Sequence, residues 1–168
     1  ILQNCPEAHI KVAGISVLGV NGIKSRIKIP AYGKYLRRLI LKNRLEGKVR
    51  VLGNLSAEEM KREYLSAQIF VCPSAVENSP HSVAEGQLLG VPVAASRTGG
   101  IPDVVKDGVS GLLFEKGNVH ELAACVSRIL TDKQLAKELS ASERETAAKL
   151  YNGENNYQKL IEIYQSIE

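Results

Sequence analysis

Two short apolar runs, IFVCP (69–73) and VPVAAS (91–96), most constrain what this chain can fold into. Neither alternates apolar with polar residues, so neither suits a strand with one face in water. Continuous apolar runs of this length, bounded by polar and glycine-rich turns, belong to parallel strands covered on both faces. Parallel neighbours need a crossover, and the residues between these runs suffice for a loop and a short helix. Three more segments of strand character, IKVAGI (10–15), VRVLGN (49–54) and SGLLFE (110–115), alternate with helical stretches. The pattern predicts an α/β fold: a Rossmann-like, doubly wound parallel sheet with helices on both faces.

The helical stretches carry their own signals. Residues 32–45 place Leu36, Leu39 and Ile40 on one face, with Lys34, Arg37, Arg38, Lys42 and Arg44 elsewhere. Gly47 is expected to close that helix. Ser56 and Glu59 form S-x-x-E, a capping box that opens a helix through Met60, Tyr64 and Leu65 to about Gln68. A helix from about Ser82 to Leu89 ends at Gly90, and Pro102 with Asp103 opens a short one ending at Asp107-Gly108. Asn118 caps a helix over about 119–130, with Leu122, Val126, Ile129 and Leu130 inward. Residues 133–150 form another, and a last one follows Asn152-Gly153. Residues 16–30 are poorly periodic and read as extended or loop structure.

Composition narrows the class. The 168 residues are enough for one domain with a real core, and 44% hydrophobic with 24% charged residues is ordinary for a globular protein. A net charge of +4 suits an anionic small ligand or a lipid headgroup and falls short of a nucleic-acid-binding surface. The three cysteines, Cys5, Cys72 and Cys125, lack metal or disulfide spacing and read as thiols of a reducing compartment. No apolar run approaches the ~20 residues of a membrane span. The N-terminus lacks a signal-peptide pattern and an initiator Met and reads like the tail of a helix, as expected of an excerpt from a longer chain.

The chemistry concentrates in residues 70–102. Open α/β sheets bind anions in the crevice at the carboxyl ends of their strands. The loop SAVENSPHS (74–82) gathers hydroxyls, an amide, a carboxylate and a histidine there, and the next helix presents its first N–H groups. Such a helix terminus, with unpaired donors and about half a positive charge, binds phosphate without a lysine. Ser79, Pro80, His81 and Ser82 lie at that end. Glu77 on the loop and Glu85 about one turn into the helix are placed to face one ligand, since a carboxylate accepts two vicinal hydroxyls, as in ribose recognition. Gly99 and Gly100 allow close backbone approach to a ligand, or simply a tight turn. His9 and His120 read as surface residues.

The segments ENSPHSVAE (77–85), GQLLGVPVAAS and TGGIPDVV (within 86–105), DGVSGLLFEKGN (107–118) and VRVLGNLSAEEM (49–60) occur in the order found in one family. The chain resembles the C-terminal, donor-binding domain of retaining glycosyltransferases of the GT-B fold (family 4, also called group 1), whose E-x7-E motif ENSPHSVAE fits. The resemblance implies one nucleotide-sugar-binding domain over 1–168, a fragment of a longer two-domain enzyme. Glu85 would hold the ribose hydroxyls, and Glu77, the candidate catalytic residue, would contact the donor sugar. Asn78, Ser79, Pro80, His81 and Ser82 would supply contacts to sugar and diphosphate. Gly53, Asn54 and Leu55 would lie against the nucleobase, and Gly99 and Gly100 would shape the loop behind the donor. The reaction would move a sugar from a nucleoside-diphosphate donor to an acceptor with retention, the acceptor being a glycan or lipid-linked intermediate of polysaccharide synthesis. No cofactor and no bound metal are implied, and the location would be cytoplasmic, with the inner membrane surface open to it through the basic helix 32–45.

The chain departs from the family pattern in places. Ser79-Pro80 stands where many members carry Phe-Gly, and Asp103 where glutamate is commoner. The family's first strand and loop, whose arginine and lysine grip the diphosphate, have no counterpart here; Lys24, Arg26 and Lys28 do not match them. The fragment alone is therefore expected to transfer no sugar. A nicotinamide dehydrogenase would need G-x-G-x-x-G, which Gly14, Gly19 and Gly22 do not form, and no P-loop motif is present. Sugar epimerase, phosphorylase or a non-catalytic nucleotide-sugar module would share the fold.

Overall fold

The computed structural model describes residues 1–14 and 31–167. The expected extended or loop segment 16–30, with Gly19, Gly22, Lys24, Arg26 and Lys28, lies outside them. The chain divides into two compact units, one of Leu2 and Pro6–Glu63, the other of Ile1, Gln3–Cys5 and Tyr64–Glu168.

The first unit holds β1 (Ile10–Ala13), α1 (Ala31–Lys42), β2 (Val49–Gly53) and most of α2 (Ala57–Ser66). β1 and β2 pair in parallel, Ile10 opposite Val49 and Val12 opposite Val51. The capping box forms as spaced: the Ser56 N–H donates to Glu59 Oε2 at 2.8 Å, and the Glu59 N–H to Ser56 Oγ at 3.4 Å. Those bonds from Ser56 hold the exposed Glu59 carboxyl below its ordinary range. On α1, Leu36, Leu39 and Ile40 are half-buried while Lys34, Arg37, Arg38 and Lys42 are exposed. Its closure differs from expectation. Arg44 takes the left-handed conformation (φ 55°), its N–H reaches Leu41 O, and the Leu45 N–H reaches Ile40 O at 2.9 Å. These bonds close a Schellman motif on an arginine, so the helix has ended before Gly47.

The second unit holds β3 (Phe70–Cys72), α3 (His81–Leu89), β4 (Val93–Ser96), α4 (Ile101–Val104), β5 (Leu112–Phe114), α5 (Val119–Thr131), α6 (Lys133–Leu150) and α7 (Gly153–Gln165). Its strands pair in parallel in the order β3-β4-β5. Side chains alternate across a strand, so each strand feeds two cores. Val93, Ala95, Cys72 and Leu113 pack with Val83, Ile101 and Val105 on the α3 and α4 face. Ala94 and Leu112 pack with Val126, Ile129 and Leu139 on the α5 and α6 face. Helices thus cover both faces, as the continuous apolar runs require. The expected strands all form, with every pairing parallel.

Two boundaries shift for identifiable reasons. β4 begins at Val93 because the Val91 N–H caps α3 through Gly86 O and Pro92 has no N–H. α4 stops at Val104 because Val105 is extended. Beyond it the Lys106 N–H donates to Ser110 Oγ and the Leu113 N–H to Asp107 Oδ1. Asn118, Asp132 and Asn152 each cap the helix that follows. Among the described residues, no helix is long and apolar enough to cross a membrane.

α6 ties the start of β4 to the end of α3. Ser140 Oγ donates to Gly90 O at 2.7 Å and Arg144 to Leu89 O at 2.9 Å, meeting carbonyls that a helix end leaves unpaired. Glu143 is fully buried, and Oε1 accepts the Val93 N–H at 2.8 Å. Burial pushes its carboxyl up to about 8, and the Val93 bond offsets only part of that. The folded state therefore holds a proton that the unfolded chain releases near the ordinary glutamate value. Stability from this group is present at low pH and is lost as pH rises toward about 8. Glu143→Gln should remove that loss: urea unfolding at about pH 5 and about pH 8 should show wild type falling relative to the variant. A gap independent of pH would contradict this.

Candidate functional site

β3 ends at Cys72, and the loop after it leads to α3 across the carboxyl edge of the sheet. Pro80 occupies the N-cap position of α3 (φ −77°, ψ 75°), and no side chain caps the helix. Most helices carry Ser, Thr, Asp or Asn there, whose oxygen takes up an early N–H. A proline cannot; the His81 N–H turns back to Ser79 O and the Val83 N–H to Pro80 O, both at 2.9 Å, which leaves the Ser82 N–H and the positive potential of the terminus for an external anion. Ser82 is half-buried in the first turn, while Asn78, Ser79 and His81 are exposed beside it.

Glu77 is half-buried and held on both oxygens. Ser74 Oγ donates to Oε2 at 3.4 Å, and the Asn78 N–H donates to Oε1 at 3.2 Å. The loop itself is pinned from β4 and the turn after it. Ser96 Oγ donates to Ser74 O at 2.6 Å and Thr98 Oγ1 to Ala75 O at 3.3 Å. The Gly100 N–H donates to Glu77 O at 3.1 Å. A methyl group on Gly99 would overlap the Glu77 carbonyl, and one on Gly100 would overlap the Asn78 carbonyl. The glycine pair therefore lets two loops of this protein dock backbone to backbone, which places Glu77 and Asn78. Ser96 and Thr98 are not singled out by the sequence, and Ser74 only as one hydroxyl of the loop 74–82. The available signal was a serine or threonine at or just past the carboxyl end of a buried strand.

Glu85 is exposed in the second turn of α3, beside Tyr64 of α2. The Tyr64 ring is buried and stacks edge-on to Phe70, with ring centres 5.3 Å apart. Its hydroxyl donates to Ser82 O at 2.9 Å. Burial, and then the neighbouring Glu85 carboxylate, push that hydroxyl well above the ordinary phenol range. The structure thus joins Glu77 and Asn78 to Gly99 and Gly100 by direct contacts, and Ser82 to the neighbourhood of Glu85 through Tyr64.

Gly53, Asn54 and Leu55 belong to the first unit. There the Gly14 N–H donates to Gly53 O at 2.8 Å, joining the ends of β1 and β2. An open hollow follows, lined by Ala13, Gly14, Asn54, Leu55 and Met60. Met60, a residue of α2, completes the lining. Among the described residues, no group of three or more His, Cys, Asp or Glu side chains could hold a metal ion.

Residues 2–146 match the model of the family described as glycosyl transferases group 1. The chain belongs to that family. It is 33% identical over 100 residues to the sulfoquinovosyl transferase SQD2 of Arabidopsis thaliana, covering 58% of this chain and 20% of that protein. It is 29% identical over 138 residues to the amylovoran biosynthesis glycosyltransferase AmsK of Erwinia amylovora, covering 79% of this chain and 34% of that one. The crystal structure of HepE from Anabaena in complex with UDP superimposes with a TM-score of 0.81 at 22% identity, covering 96% of this chain and 42% of that one. The group 1 chain thus shares the GT-B glycosyltransferase fold and spans less than half the length of these three proteins.

The docked glycine pair yields a direct test. Gly99 (φ 51°) faces the Glu77 carbonyl, whereas Gly108 (φ 74°) has open space where a methyl group would go. Gly108→Ala should cost about 1 kcal/mol of backbone strain, and Gly99→Ala should cost roughly 1–3 kcal/mol more. Urea denaturation of both variants measures the difference, and equal losses would show that the loops do not depend on the bare glycine.

Proposed function

We propose that the intact protein is a retaining, family 4 glycosyltransferase that moves a sugar from a nucleoside-diphosphate donor to a glycan or lipid-linked acceptor in polysaccharide synthesis. The observation that carries this reading is the uncapped start of α3, flanked by Glu77 on its loop and Glu85 in its second turn. The group 1 family, the amylovoran relative and the UDP bound by HepE support it.

In this reading the diphosphate lies at the α3 terminus against the Ser82 N–H, the hydroxyls of Ser79 and Ser82 and the side chains of Asn78 and His81, with Pro80 leaving that end uncapped. Glu85 accepts the ribose hydroxyls. The family resemblance assigns Gly53, Asn54 and Leu55 of the first unit to the base. Glu77, steadied by Ser74 and the Asn78 N–H, contacts the donor sugar. During transfer the anomeric carbon–oxygen bond breaks, and the electron pair leaves with the diphosphate. The helix dipole and its N–H groups stabilise the growing negative charge, so no resident metal is needed. The acceptor oxygen bonds the same face of the anomeric carbon and gives its proton to the departing phosphate.

Calorimetric titration of the intact protein with UDP-, GDP- and ADP-sugars tests the site. One of them should bind, and Glu85→Ala should weaken that binding about tenfold or more. Glu77→Gln should leave nucleotide diphosphate binding near wild type and lower kcat by about 100-fold. Binding unaffected by Glu85→Ala would sink the assignment. Binding with no transfer to any acceptor would favour a module that only holds nucleotide sugar.

The reading includes a cytoplasmic site of action at an anionic membrane surface, and α1 supports the contact. Lys34, Arg37, Arg38 and Lys42 are exposed on a helix that has no acidic residue, with Tyr32, Tyr35 and Leu41 also exposed. A cationic helix with exposed aromatic and apolar groups suits an interfacial position. The intact protein should sediment with phosphatidylglycerol vesicles, less so in high salt and after a Lys34→Glu, Arg38→Glu double change. Equal recovery with phosphatidylcholine vesicles would remove this part of the proposal.

A further inference from the structure

We infer that Tyr64 is a positioning residue for nucleotide binding: through its hydroxyl it holds the first turn of α3, and so sets where Glu85, three residues after Ser82, meets the ribose. This inference rests on the proposed role of Glu85. Tyr64 lies in the last turn of α2, and its hydroxyl reaches across to the Ser82 carbonyl in the first turn of α3, at 2.9 Å. That carbonyl belongs to Ser82, whose N–H and hydroxyl face the diphosphate in the proposed site. Glu85 lies one turn further along, close enough for its carboxylate to act on the same hydroxyl. One buried O–H thus fixes the turn that leads from the phosphate end of the site to Glu85 at its ribose end. The hydroxyl stays protonated and remains a donor throughout the physiological range.

The ring is anchored without the hydroxyl. Tyr64 is 4% exposed and packs edge-on against Phe70, which begins β3. Gly86, the residue after Glu85, places α3 over both rings: a methyl group there would make ordinary contacts, 3.5 Å from Phe70 and 3.6 Å from Tyr64. Tyr64→Phe therefore keeps the packing and deletes only the bond to Ser82. Loss of one hydrogen bond to a carbonyl or carboxylate is worth about a five- to tenfold change in an affinity that depends on it.

The test uses the intact protein and whichever of UDP, GDP and ADP binds most tightly, together with its 2′,3′-dideoxy form. Wild type should prefer the ribose nucleotide. Tyr64→Phe should weaken the ribose nucleotide by about fivefold to tenfold, leave the dideoxy form nearly unchanged, and raise the donor KM with little change in kcat. Equal losses for both nucleotides would mean that Tyr64 only supports the fold, and wild-type affinity for both would mean that it does nothing for the site. Either result overturns the inference. Glu85→Ala separates the two levels of the argument. If it leaves the ribose preference intact, or if no nucleotide binds, the ribose reading itself falls. If Glu85→Ala abolishes the preference and Tyr64→Phe does not, only the role of Tyr64 falls.

Discussion

No residue of β4 is exposed, and the second unit is arranged around keeping both of its faces dry. Val93 and Ala95 look toward α3 and α4, and Ala94 looks toward α5 and α6. A strand buried on both faces must find partners for every backbone group, because an unpaired one costs about as much as a lost hydrogen bond. The ladders to β3 and β5 supply most of them. At the first residue of β4 a side chain does so: Glu143 reaches from α6 to the Val93 N–H. At the last residue the strand supplies the bond itself, and Ser96 holds the loop that carries Glu77. The same strand thus organises the core at one end and the candidate site at the other.

Polar groups inside this core act as braces between elements. Gln87 is fully buried, and its amide donates to Val104 O and Ser110 O, both at 3.1 Å. It secures the segment after α4, where the chain turns back toward β5. Ser110 is buried as well and accepts the Lys106 N–H. These bonds fix irregular backbone that regular pairing cannot reach, as buried irregular segments require. With the helices held in this way, the α3 terminus is presented at a set position, and a helix terminus attracts an anion effectively only within its first turn.

Much of this was legible in the residues. The apolar runs specified the buried parallel strands, S-x-x-E specified the start of α2, and Asn118 and Asn152 specified two more helix starts. Each rests on contacts within a few residues, which sequence order already brings together. The boundaries that moved were set by bonds between neighbours competing for one donor or one conformation. Arg44 closed α1 before the glycine could, and the Val91 N–H went to the cap of α3 in preference to the ladder. In the site, Glu77, Glu85 and the polar loop stood out because their side-chain chemistry is unusual at the end of an apolar strand. Ser74, Ser96, Thr98 and Tyr64 did not, because their importance lies in which distant backbone atom each one meets.

The sequence by itself determined the α/β alternation, the parallel pairing and the family to which the chain belongs, since these depend on local pattern and on motifs read in order. Tertiary structure alone decided why two glycines follow β4: they admit the backbone of residues 77 and 78, a contact between segments about twenty residues apart. It alone decided that a buried glutamate would meet the first N–H of β4, and that a tyrosine hydroxyl would hold the first turn of α3. Packing brings such partners together across chain separations that no local propensity records. Their physical meaning, whether a bond, a clash or a raised pKa, exists only once the partner is in place.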